Sequence, residues 1–518
     1  MLFAGLDVST QSCKIVVIDL QNDDILYVDS VNYDTDLPEF NTRNGVLQNG
    51  ESGVSESEPL MWLQAVEMLF GRLQKSHVPQ SDIKCISVSG QQHGLVALDA
   101  QGGLSRTRSK LWNDFSTQRE CDILTEKAGG LSAMVGEVGN AQLTGYTAAK
   151  ILHMQRHEPE MFARTHTFFL VHNYINWYLT GGVRVMEPGD TSGMALWHPG
   201  KQKWSQKVVA SIDPALMKKL PPVMPADKSI GSISNNLVEK FGFNQQCKID
   251  AGSGDNMYGA VGTGNIKPGI VTISLGTSGT AYTFLEKAYI DPLGEIAAFC
   301  DSTGHFLPLL CVTNLANGYN ALLKQFNLNH EAFTTMVQET PPGNEGRILI
   351  PWYAGERTPN VPMAAPLYFG FGLHDFKAEV LSRAVLEGHI QNLFTGFKRL
   401  PVRPTEIRLT GGLSQSPAWC QAIANIFNTE TVPVEGEGAA LGAALHAAWV
   451  WGKENDRDLS LEEICTSFVK LSANQRKKPD PNQRGIYDNQ TKLFSQLSAA
   501  IRNNEMAAFR LREKLLSR

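Results

Sequence analysis

Short apolar runs bounded by glycine and hydroxyl residues recur along the chain, and two of them follow one plan. Phe3-Ala-Gly-Leu-Asp-Val-Ser-Thr-Gln-Ser12 leads into a second apolar run from Lys14 to Leu20, and Ile270-Val-Thr-Ile-Ser-Leu-Gly-Thr-Ser-Gly-Thr280 leads into another from Ala281 to Leu285. Each predicts a strand, a small-residue turn and a returning strand. Elsewhere the apolar spacing is helical. Leu60, Leu63, Val66 and Leu69 follow Pro59 in a first turn, and Thr147 to His157 and Phe168 to Leu179 read as further helices. In the second half, Ala378 to Phe397 reads as a long amphipathic helix, Pro417 to Phe427 as a shorter one, and Ala439 to Trp449 as a helix of small residues suited to core, with a contact surface as its alternative use. Strands are predicted at Cys85 to Ser89 and Glu406 to Thr410, each opening into a glycine-bearing turn. The polar stretch Asp29 to Pro59 reads as a long surface excursion. From Ser472 the chain turns polar and then helical, ending in a helix over Met506 to Leu516. Strands interleaved with helices in this way predict an α/β protein.

At 518 residues the chain exceeds what one hydrophobic core supports, so two domains are expected. The turn Thr263-Gly-Asn-Ile-Lys-Pro-Gly269 marks the boundary, giving an N-terminal domain over 1–262 and a C-terminal one over 263–518. A formal charge of -6 without any Lys/Arg block argues against a nucleic-acid partner. No apolar run is long enough for a membrane span, and the first residues lack the pattern of a signal peptide, so a cytoplasmic protein is expected. Eight cysteines are scattered without a C-x-x-C pair, which predicts reduced thiols and no zinc site.

Successive backbone N–H groups in a glycine-rich turn form a nest for an anion, typically phosphate. Two such hairpins roughly 270 residues apart suggest two related domains addressing one nucleotide. A single hairpin of this kind is more often only a hairpin. No P-loop and no set of protein-kinase motifs is present, so a bound ATP would need another architecture. Phosphoryl transfer requires donors around the phosphates, a divalent cation and a carboxylate for the attacking hydroxyl. Asp7 and Asp255 are the carboxylates set in glycine-rich turns beside the hairpins, although each can also serve merely as a turn residue bonded to its own backbone. His93, within Gln91-Gln-His-Gly94 at a strand end, suits a polyol, and its ordinary alternative is a structural histidine. Trp112-Asn-Asp114 offers an apolar platform beside polar groups, and it too can be a plain turn. Gly411-Gly412 before a helix would let backbone approach a nucleoside or phosphate.

In their order along the chain, these segments resemble the FGGY family of carbohydrate kinases, and within it the kinases of D-xylulose. The resemblance rests on Gly5-Leu-Asp-Val-Ser-Thr-Gln-Ser12, Ser89-Gly-Gln-Gln-His-Gly-Leu95, Leu111-Trp-Asn-Asp114, Gly145-Tyr-Thr-Ala-Ala-Lys150, Asp190-Thr-Ser-Gly193, Gly254-Asp-Asn256, Ser274-Leu-Gly-Thr-Ser-Gly279, Gly355-Glu-Arg-Thr-Pro359, Arg383-Ala-Val-Leu-Glu-Gly388, Gly411-Gly412 and Ala439-Ala-Leu-Gly-Ala-Ala444. It implies two actin-like, ribonuclease-H-like α/β domains with an active-site cleft between them. It also implies ATP and Mg²⁺ as cofactors, a ketose as substrate and, from the family, a homodimer. On this resemblance Asp255 is the catalytic base, and Asp7 is a catalytic carboxylate acting through the metal. Gln92, His93, Asn113, Asp114 and Asn256 join Asp255 around the sugar, while Thr10, Gly276, Thr277, Gly411, Gly412 and Ser416 meet the nucleotide. The implied reaction is phosphorylation of D-xylulose to D-xylulose 5-phosphate. Ribulose, sedoheptulose or another polyol is the alternative substrate, and an actin- or chaperone-like ATPase is the alternative function. Three departures fall in the sugar half: Gln92 where Met is usual, Phe115-Ser116 where Gly-Arg is usual, and Val185-Met-Glu-Pro-Gly189.

Overall fold

The computed structural model describes residues 1–48, 52–353, 355–436, 438–504, 511–512 and 515. They divide into two compact units that are discontinuous in sequence. The first comprises Met1–Ile266, Phe284–Pro308 and Gly436–Val469, and the second Lys267–Thr283, Leu309–Glu435 and Lys470–Arg518. A single break at 262/263 therefore differs from the observed partition, because Gly436–Val469 packs into the first unit. Most of the expected helix Met506 to Leu516 lies outside the described residues.

In the first unit, the hairpin Leu2–Val8 and Ser12–Asp19 forms with its partners in antiparallel register, Asp7 facing Lys14. Its outer neighbour Asp24–Asn32 is antiparallel, and on the other side Ile83–Gly90 and Lys248–Asp250 run parallel before Ser229–Ser232 closes the edge antiparallel. The pleat sorts the central strand between two cores. Leu2, Ala4, Leu6 and Val8 face the cluster built with Met61, Trp62, Val66 and Phe70 of the helix Pro59–Gln74. Phe3 faces the opposite cluster, built with Ala440, Ala443, Ala444 and Ala447 of the helix Gly438–Glu454.

That small-residue helix lies almost against backbone. A Cβ on Gly5 would stand 2.1 Å from the Ala440 carbonyl oxygen, and one on Gly442 would stand 1.9 Å from that of Tyr258 in the helix Asp255–Gly262. Alanine and glycine in this stretch are thus what let strand and two helices approach, as its reading as core anticipated.

The second unit repeats the plan. Ile270–Leu275 and Gly279–Thr283 form the hairpin, Leu309–Val312 adds an antiparallel outer strand, and Glu406–Thr410 and Thr431–Glu435 run parallel before the antiparallel edge Lys470–Leu471. The sense of every pairing matches the first unit. Only chain order at the far edge differs, since Ser229–Ser232 precedes its neighbour and Lys470–Leu471 follows its own.

The helix Ala378–Phe397 is where periodicity misled. It is buried on all sides from Val380 to Leu393, not amphipathic. Several of its polar residues find partners inside: Arg383 pairs with Glu387 at 3.2 Å, and Glu387 also accepts from Tyr487 and Gln490 of the helix Arg484–Asn504. The expected helix over Phe168 to Leu179 divides into a strand, Thr167–Phe169, and a helix, Val171–Thr180. The opening of the expected surface excursion, Asp29 to Asn32, is the end of the outer strand Asp24–Asn32, in which Val31 is the one fully buried residue.

Candidate active site

Three strand ends in the first unit carry the candidate chemistry. Asp7 sits at the end of Leu2–Val8 in parallel register with Ser89, whose hydroxyl donates to Asp7 Oδ1 at 2.7 Å. Ile83–Gly90 then breaks into Gln91, Gln92 and His93. On the other side of that strand, Ser253–Gly254 pairs parallel with Ser89 and Gly90 and delivers Asp255 as the first residue of its helix. Parallel strands ending together are where open α/β sheets gather ligand groups.

Asp255 is partly buried, and its carboxyl is pushed up to about 8, first by burial and then by the charges of Asp7 and Asp190. Asp7 is pushed up to about 6 by burial, against the opposing pull of its Ser89 hydrogen bond and of Lys14. Asn256 Nδ2 donates both to Asp255 Oδ1 at 3.0 Å and to Gln92 Oε1 at 2.8 Å. The other end of that amide, Gln92 Nε2, is buried with no hydrogen-bond partner among the described residues. A buried donor left unmade is costly unless a ligand completes it, and this one belongs to a side chain bonded to the neighbour of Asp255.

Thr10, in the turn of the first hairpin, donates to Gln91 Oε1 at 3.2 Å and accepts from Trp112 Nε1 at 2.9 Å. Asn113 Oδ1 accepts from the Ser55 hydroxyl at 2.7 Å. Asp114 follows Asn113 in the same turn. It is fully buried, with Oδ2 held by Ser55 N and Lys110 Nζ and Oδ1 by the backbone and hydroxyl of Ser116. Those four donors tie Asp114 to the turn that carries Asn113 and Trp112.

Behind Asp255 lies a buried network that the sequence reading did not include in the site. Glu187 accepts from Asp190 N at 2.7 Å, from Gly189 N at 2.5 Å and from Ser253 Oγ at 3.1 Å, which ties the segment Pro188–Thr191 to the strand that carries Asp255. Burial pushes the Glu187 carboxyl up to about 7. His172 Nδ1 meets Asp190 Oδ2 at 3.1 Å. The sequence signals were the segment Asp190-Thr-Ser-Gly193, noted for its family resemblance, and the carboxylate Glu187 just before it in the atypical run Val185 to Gly189.

In the second unit, the turn Gly276-Thr277-Ser278 joins the hairpin strands, and Thr277 is exposed. Leu315 N and Ala316 N donate to the carbonyls of Thr277 and Gly276, both at 3.2 Å, so two turn carbonyls are occupied. Ser274 pairs with Thr410 on the adjacent parallel strand, which brings Gly411 and Gly412 to the same end of the sheet. Gly411 adopts a φ of +83°, and a Cβ there would stand 2.7 Å from the Leu275 carbonyl oxygen, so only glycine fits. A Cβ on Gly412 would meet nothing within 4 Å. Ser416 begins the helix Pro417–Phe427 with no side-chain cap bond. Gly276, Thr277, Gly411 and Gly412 are thus gathered on one sheet edge with exposed small-residue backbone.

Residues 2–262 match the N-terminal domain, and residues 271–451 the C-terminal domain, of the FGGY family of carbohydrate kinases. The chain is 34% identical over 499 residues to a xylulose kinase of Haemophilus influenzae, covering 94% of this chain and 97% of that one. A ligand-bound xylulose kinase from Lactobacillus acidophilus superposes with a TM-score of 0.86 at 23% identity over 97% of this chain and 99% of that one. A gluconate kinase from the same organism gives 0.85 at 23% identity, with 97% and 98% covered. The structural likeness therefore establishes the two-domain sugar-kinase fold and does not select the sugar.

Proposed function

The chain belongs to the FGGY family of carbohydrate kinases, and from that premise we propose that it transfers the γ-phosphoryl group of ATP to D-xylulose, giving D-xylulose 5-phosphate and ADP. The observation that carries the site assignment is the raised, partly buried carboxyl of Asp255 joined through Asn256 to the unpartnered amide of Gln92. Asp255 accepts the proton of the sugar's 5-hydroxyl. As that oxygen forms its bond to the γ-phosphorus, the bond to the β-phosphate oxygen breaks and ADP leaves. A base titrating near neutrality is well matched to this task. Gln92 Nε2 donates to a sugar oxygen, with His93, Asn113 and Asn256 beside it. Asp114 acts by holding the turn. In the second unit, Gly276 and Thr277 receive the phosphates, and Gly411, Gly412 and Ser416 the nucleoside.

Magnesium is the cation this reading requires. Mg²⁺ is commonly held by one or two carboxylates together with phosphate oxygens and water. Asp7 fits such a site as a single, partly buried carboxylate with one hydroxyl donor, and among the described residues no group of three or more His, Cys, Asp or Glu could hold a metal by protein ligands alone. Bound there, the cation would offset phosphate charge.

The eight cysteines are free thiols, which fits a reducing compartment such as the cytoplasm. Among the described residues, no helix is long and apolar enough to cross a membrane.

The reading is tested by sugar-dependent ADP release from Mg-ATP over D-xylulose, L-xylulose, D- and L-ribulose, sedoheptulose and glycerol. Selective release with D-xylulose is the expected result. Selective release with another sugar would keep the chemistry and overturn the substrate, and release independent of any sugar would overturn the kinase reading.

A further inference from the structure

His93 has a left-handed backbone, with φ at +66°, a conformation uncommon and strained for a residue with a side chain. Its imidazole is enclosed on several sides. Tyr146 lies edge-on at 4.8 Å between ring centroids and Phe299 at 5.8 Å, while a Cβ on Gly193 would stand 2.4 Å from His93 Cε1. The peptide that carries the ring is held from one helix, Thr147–His157. Lys150 Nζ donates to the His93 carbonyl at 2.7 Å and Thr147 Oγ1 donates to the same oxygen at 3.2 Å. The two donors are three residues apart and so share a helix face.

Lys150 is completely buried. Asp114 and Asp190 are the carboxylates that favour its charge and Lys110 opposes it, while burial draws the ammonium down to about 7. Burying an ammonium is unfavourable, and an apolar side chain of similar volume often fills such a place without loss of stability. Among the described residues, the hydrogen bond Lys150 makes goes to the strained peptide of a residue assigned to the sugar. We infer that Lys150, assisted by Thr147, is a positioning residue that fixes the His93 peptide in its left-handed conformation and thereby sets affinity for the ketose. This rests on the proposed reading of His93 as a sugar contact.

The test compares Lys150→Met, Thr147→Val and His93→Ala in steady-state kinetics and thermal unfolding of the full chain. Lys150→Met is expected to keep or raise the melting temperature and to raise KM for the sugar about ten- to hundred-fold, as for loss of a charged hydrogen bond, with KM for ATP within about twofold. A kinetic loss without a stability loss is what a merely structural lysine would not produce. Thr147→Val should move KM for the sugar in the same direction by a few-fold. A folded Lys150→Met with unchanged KM for the sugar overturns the inference. If Lys150→Met fails to fold, Thr147→Val decides, and an unchanged sugar KM there overturns it while His93→Ala still raises that KM. His93→Ala without effect on sugar KM instead removes the assignment of His93 to the sugar, and the inference falls with it.

Discussion

Replacing Asp255 by Asn removes the proposed base and a strained carboxyl at once, so activity and stability should move in opposite directions. Loss of a positioned general base lowers turnover by roughly 10² to 10⁴-fold. The stability effect follows from the carboxyl being raised from 3.8 to about 8 by burial and by the charges of Asp7 and Asp190. A carboxyl whose folded value exceeds its unfolded one favours the folded state fully below the unfolded value, and this advantage is lost as pH rises through the folded value. The wild-type protein therefore forfeits stability between about pH 4 and pH 8, whereas the Asn variant does not. At about 1.4 kcal/mol per unit the shift would amount to several kcal/mol, and solvent at the partly exposed carboxyl screens this to about 1–2 kcal/mol. Thermal melts of both proteins without nucleotide or metal, at pH 5 and pH 8, should show the variant gaining more at pH 8. Equal gains at both pH values, or a variant less stable at pH 8, would refute the electrostatic account of Asp255. Unchanged turnover would refute its role as the base.

Further outcomes follow from the same contacts. Gln92→Leu should raise KM for the sugar roughly three- to tenfold, as for a lost neutral hydrogen bond, and leave KM for ATP unchanged in steady-state assays. Gly411→Ala places a Cβ 2.7 Å from the Leu275 carbonyl oxygen at a φ of +83°, so it should cost about 1–3 kcal/mol in denaturant unfolding and raise KM for ATP more than KM for sugar. Gly442→Ala sets a Cβ 1.9 Å from the Tyr258 carbonyl oxygen. The strain of overpacking, about 1–3 kcal/mol, should exceed the helix-propensity gain of about 1 kcal/mol, and a calorimetric melt would show a lowered transition. Removal of divalent cations with EDTA should abolish sugar-dependent ADP release, and added Mg²⁺ should restore it.

The two hairpins were legible because glycine and hydroxyl residues interrupt apolar runs at matching places, and each run pairs in the predicted sense. Glu406–Thr410, Pro417–Phe427 and Thr147–His157 were legible through their regular spacing and bounding residues. Ala378–Phe397 was legible as a helix with these bounds, but its burial was not, because Glu387, Gln391 and Asn392 look like a solvated face until the helix Arg484–Asn504 and the loop at Glu356 supply their partners from far along the chain. The same limit applies at the site. Asp7 and Asp255 could be singled out by their turns, but the burial of Asp114 depends on Ser55 and Lys110, and the strained peptide of His93 depends on Lys150. No local pattern carries such pairings. The return of Gly436–Val469 to the first unit was hidden for a related reason, since its small residues announce close packing without naming the partner.

The central claim is tested most directly by incubating D-xylulose and Mg-ATP with the wild-type protein and with Asp255→Ala, then quantifying ADP and the phosphorylated sugar in each. The account predicts equimolar ADP and D-xylulose 5-phosphate from the wild type, with formation of both slowed by roughly 10² to 10⁴-fold in the variant. ADP without phosphorylated sugar, or equal product from both proteins, would contradict it.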